Sequence, residues 1–139
     1  MRGGPAGRVA LLVDVAALLA EARAQGAELS QHKLRNGIAN HRAVVRAVGF
    51  APAGVAVPTG FDAVAADAGF EGGVRFAATA FELLAAASHL VLAPATAANV
   101  QLAQALRRAG HQVELAGLAA AGPGDEPVRR LGRDCLFVP

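Results

Sequence analysis

One carboxylate stands where open α/β proteins do their chemistry. The run RVALLVDV, residues 8–15, is apolar until Asp14. An acid closing a buried strand can hold a cation, or it can accept the free N–H groups of the helix that follows. Further along, the turn PATAAN, residues 94–99, follows the apolar run LVLA and holds no charge at all. Thr96 and Asn99 are residue types that cap helix starts, and the exposed N–H groups of such a start can also bind phosphate without a metal. His32, His41, His89 and His111 have no spacing that places two on one helix face as metal ligands, so they are expected at the surface or at strand edges. Ser30 and Ser88 lie outside any nucleophile elbow. Cys135 is the single cysteine, which excludes an internal disulfide and a cysteine zinc site and points to an inert thiol. GFEGG, residues 69–73, has the glycines of a phosphate loop, but it is expected to be a turn leading into a strand.

The cations offer a different chemistry. Thirteen basic residues oppose eleven acidic ones, a net charge of only +2, so a global nucleic-acid field is not established. Twelve of the thirteen are Arg, beside 35 alanines, a bias that a GC-rich coding sequence also produces. Local clusters remain at Lys33, Arg35 and Arg42, at Arg107 and Arg108, and in RRLGR from Arg129 to Arg133. Such clusters can bind phosphate even where net charge is small. Six Phe and no Trp or Tyr leave little for base stacking.

The elements that must position these groups follow from periodicity. With 139 residues, 54% hydrophobic and 17% charged, the chain can bury one core and is neither disordered nor long enough for two full domains. Residues 1–7 are expected as a flexible lead and 8–139 as a single domain. No apolar run is long enough to span a bilayer, and no signal-peptide cleavage site is visible, so a cytoplasmic location is expected. Five β-like runs alternate with helix-like segments, which predicts a three-layer α/β sandwich with a mostly parallel five-stranded sheet. The strands are expected at 8–15, within 41–52, at 72–80 (GGVRFAATA), at 89–94 and at 111–118. Helices are expected at 16–26, after an N-cap at Ser30, at 60–70 (GFDAVAADAGF), at 81–88 (FELLAAAS, with Glu82 near its start) and at 100–110, with a short last helix near 127–133.

In this arrangement the chain resembles the NYN branch of the PIN-like nuclease superfamily (LabA-like), from about Arg8 to Val138. The family's first strand has the form LFIDxxNL. LLVDVAAL places Asp14 and Leu18 correctly, with Ala17 where the Asn belongs. The family's SGDxDFxPLxxxLRxxG is matched in spacing by LVLAPATAANVQLAQALRRAG up to Gly110, but its two acids fall on Thr96 and Ala98 and its Phe on Asn99. A family segment with a Lys and two Asp at a helix start corresponds to FAATAFELL, which offers only Glu82, with Arg75 upstream.

The resemblance implies a spatial strand order of 3-2-1-4-5. It also implies a crevice at the C-terminal ends of the first and fourth strands, flanked by Asp14, Thr96 and Asn99. Nucleases of this kind gather three or four carboxylates there around Mg²⁺ or Mn²⁺, and this chain retains at most Asp14 and Glu82. The reading that follows is a degenerate, non-catalytic domain with no cofactor, acting through association with itself or a protein partner, or through RNA. Any RNA contact would be weak and would fall on phosphates, from Lys33, Arg35, Arg42, Arg107 and Arg108. The alternatives are a metal-dependent ribonuclease built on Asp14 and Glu82, and a structural self-associating module suggested by the mean hydropathy of +0.39 and the Ala-rich helices.

Overall fold

A computed structural model describes residues 8–66, 69–119, 122–131 and 135–137. Strand β1, Arg8–Asp14, lies at the centre because its side chains are apolar in both directions. Val9, Leu11 and Val13 point into one core, while Ala10 and Leu12 point into the other. Alternation with a period of two thus places one strand between two apolar layers. Its neighbours are β3, Ala43–Ala51, and β5, His89–Ala93, and both run parallel to it.

Outward from these lie β4, Asp62–Ala65, on one side, and β6, Gln112–Gly117, followed by β7, Arg129–Arg130, on the other. All of these pairings are parallel, in the order β4-β3-β1-β5-β6-β7. A separate antiparallel pair joins β2, Glu28–Leu29, to β8, Leu136–Phe137. Helices α1, Val15–Ala24, and α2, Leu34–Ala39, cover one face through Leu18, Ala22, Leu34 and Ile38. Helices α3, Phe70–Leu84, and α4, Ala97–Arg108, cover the other through Phe76, Ala80, Leu83, Val100, Ala103 and Leu106. Leu11, Leu12, Leu18, Leu34 and Leu90 are fully buried, each contributing about 1.5–3 kcal/mol of transfer free energy. The chain is therefore an α/β sandwich around a parallel sheet.

Several expected elements are corrected. The sheet has six strands rather than five, with β7 added at its edge, and the third strand in the expected order is β4 rather than the segment 72–80. The segment 72–80 is helical and belongs to α3, while 62–65, expected within a helix, forms β4 at the sheet edge against Val48 to Ala51. The residues decide this through spacing. Phe76, Ala80 and Leu83 recur at helical intervals and are buried, whereas DAVA is held by the ladder offered by β3. FELLAAAS is accordingly the end of α3 and the turn after it, not a helix of its own. Ser30 caps the turn ahead of α2 through a bond from Lys33 N to its Oγ at 3.3 Å, and α2 itself has no side-chain cap. Arg129 and Arg130, expected in a last helix, form β7. The flexible lead expected at 1–7 lies outside the described residues, as does Arg133. Among the described residues no helix is long and apolar enough to cross a membrane.

Candidate functional site

The strand order reverses between β1 and β5, and the crevice beyond their carboxyl ends is where open α/β sheets bind ligands. Here it is a cavity of about 580 Å³. The starts of α1, α3 and α4 surround it, contributing Ala17, Gly73 and Ala98 among others, and Phe50 and Phe76 form its inner wall. Those two rings meet edge to face, 5.1 Å between centroids, a geometry that fixes both.

Polar groups are few. Asp14 closes β1 and caps α1, its Oδ1 accepting from Ala17 N at 3.1 Å. Thr96 does the same for α4, accepting from Asn99 N at 3.1 Å. Asn99 is buried and donates through Nδ2 to the Pro94 carbonyl at 2.7 Å, tying α4 to the end of β5. The uncharged turn 94–99 thus satisfies its own backbone. Asp14, Thr96 and Asn99 do come together at the crevice.

Glu82 does not join them. It lies on the exposed last turns of α3, and α3 leads into the start of β5. Because β1 and β5 run parallel, with Val9 opposite His89, this is the edge of the sheet remote from Asp14. The expected pairing of Asp14 with Glu82 is therefore corrected: one helix-length separates them, because α3 begins well before the segment that carries Glu82. Among the described residues no three His, Cys, Asp or Glu come together. A hard Mg²⁺ or Mn²⁺ needs several oxygen donors, usually more than one carboxylate. One carboxylate engaged as a helix cap does not fit that ion. Asp67, between the lining residues Ala66 and Gly69, lies outside the described residues.

The cations are dispersed. Arg42 donates from Nε to Ala39 O at 2.7 Å and from Nη2 to Glu114 Oε1 at 2.9 Å. Arg129 reaches the same Glu114 oxygen through Nε at 2.9 Å and donates to Gly37 O at 3.1 Å and to Ile38 O. The two guanidinium groups close the C-terminus of α2, where free carbonyls favour cations, and anchor it on β6. Burial alone would raise the Glu114 carboxyl, but the hydrogen bonds and charges of Arg129 and Arg42 outweigh it and hold it below its ordinary value.

Arg107 is likewise engaged, donating twice to Val113 O at 3.0 and 2.8 Å and pairing with Glu126 at 3.4 Å. Arg42 and Arg107, expected as phosphate contacts, are thus engaged within the fold. Arg35 has a buried Nε without a hydrogen-bond partner among the described residues and lies against Gly60, where any Cβ would collide with it. Lys33 and Arg108 are exposed. Lys33 stands beside α2 on one face of the sheet, and Arg108 ends α4 on the other. The structure does not bring them together.

Sequence reasoning missed the glycine wall. Gly69, Gly72 and Gly73 line the crevice because GFEGG opens α3 instead of preceding a strand. Gly69, its N-cap, has φ 144° and no side-chain capping bond. The available signal was the helical spacing of Phe76, Ala80 and Leu83 directly after the glycines.

Comparison with solved structures finds a protein of unknown function from Vibrio parahaemolyticus RIMD 2210633. It aligns with a TM-score of 0.68 at 16% sequence identity, over 99% of this chain and 100% of that one. The fold is shared from end to end. No family model matches the chain, and comparison with curated proteins yields no match.

Proposed function

We propose that this chain is a non-cleaving domain of NYN-like build that acts through association, with itself or with a protein partner. The observation that carries the reading is Asp14. It is the one carboxylate lining the described crevice, and its Oδ1 is engaged by the first turn of α1. Water activation by a dication would need donors that Thr96 and Ala98 do not supply.

Association is favoured over RNA by the state of the cations and of the apolar surface. Arg42 and Arg107 are held by carbonyls and carboxylates, while Val74 and Phe81 are about half exposed, at 51% and 55%. Large apolar side chains left in water mark interaction surfaces when they cluster. RNA binding ranks second, resting on the exposed Lys33 and Arg108.

The test is a cleavage assay on single-stranded RNA and DNA with Mg²⁺ and with Mn²⁺, comparing the protein with Asp14→Ala and with Asp14→Asn, which keeps a capping side chain. The expected outcome is no metal-dependent cleavage above either variant. Cleavage abolished in both would overturn the reading and establish the ribonuclease alternative.

A further inference from the structure

We propose that the outer face of α3 pairs antiparallel with the same face of a second copy of this chain. The inference rests on the association reading above and names its surface. Helix α3 buries Phe76, Ala80 and Leu83 against the sheet. Its opposite side presents Val74, Ala78, Phe81 and Ala85, all exposed. Intervals of four, three and four residues give a straight apolar seam along a helix. Val74 and Phe81 are two of the three exposed large apolar side chains among the described residues.

The occupant is identified by charge and by size. Arg75 and Glu82 flank the seam on one side, seven residues apart, which is about 10 Å along a helix and too far for them to pair with each other. Arg75 donates one N–H to Ala65 O at 3.2 Å, and Glu82 has no ion pair among the described residues. A twofold axis crossing the middle of α3 makes residue i meet residue j and j meet i. Placed antiparallel, each copy sets Phe81 over Ala78 of the other and Val74 over Ala85, so large side chains meet small ones. The same register brings Arg75 alongside Glu82 of the second copy, twice. A parallel pairing would put the two flanks that carry Arg75 and Glu82 on opposite sides of the interface, each facing the uncharged flank of Ala77 and Leu84, and no such pairs would form. The seam therefore complements its own reversed image.

Sedimentation velocity over a concentration series tests this, with thermal melts checking that the exposed substitutions leave the fold intact. The protein should dimerise, and Phe81→Glu should weaken the dimer by about tenfold or more. Arg75→Glu and Glu82→Arg should each weaken it by about threefold to tenfold. Mixing these two single variants should restore a dimer as a one-to-one heterodimer, because every flank contact is then between opposite charges. The double variant should recover as well. A protein that stays monomeric at all concentrations overturns the proposal. A dimer indifferent to all three substitutions also overturns this surface while leaving association standing. The non-cleaving reading fails separately, in the cleavage assay.

Discussion

Asp14 and Glu114 show how the same carboxylate chemistry reads differently in sequence and in space. Asp14 is legible because it ends an apolar run and precedes a helix, so capping was one of two readings available from the sequence, and its bond to Ala17 N shows the cap formed. The Glu114 site is not legible, because its partners Arg42 and Arg129 lie 72 and 15 residues away and only folding brings them together. Its consequence is a pH dependence whose sign is fixed. A carboxyl held below its unfolded value, about 4.3 for Glu, contributes stability that is full above that value and lost as pH falls through the folded one. Glu114→Gln should therefore be less stable than the parent at pH 7, and the gap should close as pH is lowered from about 4. Urea unfolding midpoints between pH 7 and pH 3 check this. A gap that stays constant would mean that the charge of Glu114 contributes nothing and that only its hydrogen bonds matter.

At the level of elements, the strands β1, β3, β5 and β6 and the helices α1 and α4 were readable from apolar runs and glycine stops. The exchange of β4 and α3 was not. GGVRFAATA opens with two glycines and carries Val, Phe and Thr, which local preference assigns to a strand. DAVA is half alanine, which the same preference assigns to a helix. Tertiary context overrode both, through the free edge of β3 and the burial of Phe76, Ala80 and Leu83.

Glycine inside a helix lowers its stability, and Gly73 sits in the first turns of α3 with nothing within 4 Å of where a Cβ would be. Gly73→Ala should therefore stabilise the fold by about 0.5–1 kcal/mol, measurable by urea unfolding. The added methyl group would stand in the crevice that Gly73 lines. A destabilised variant would mean that α3 needs the glycine for its own path. A stabilised one identifies the glycine as keeping crevice space at the expense of helix stability.

For the whole molecule, the parallel order places the crevice at one edge of the sheet, with Glu82 and Arg108 near the other. A domain arranged in this way has an apolar outer face on α3 and dispersed cations, and these two features respond oppositely to salt. Of the five expected cations, Arg42 and Arg107 are engaged and Arg108 lies on the face opposite Lys33, so one RNA strand meets about two contacts, Lys33 and Arg35, and log K should fall with log salt at a slope of roughly −1 to −2. A fourfold rise in salt would then cost between about fourfold and fifteenfold in affinity. Association through Val74 and Phe81 buries apolar surface, which moderate salt leaves intact and sulfate strengthens. The flanking pairs of Arg75 and Glu82 are exposed and screened, so they temper this trend without reversing it. Light scattering in 50 mM and 200 mM chloride and in added sulfate, run beside an RNA titration in the same buffers, should show a dimer that persists or tightens while RNA binding fades. A monomer throughout, with RNA affinity falling steeply as chloride rises, would transfer the function to the cations and leave the α3 face without a partner.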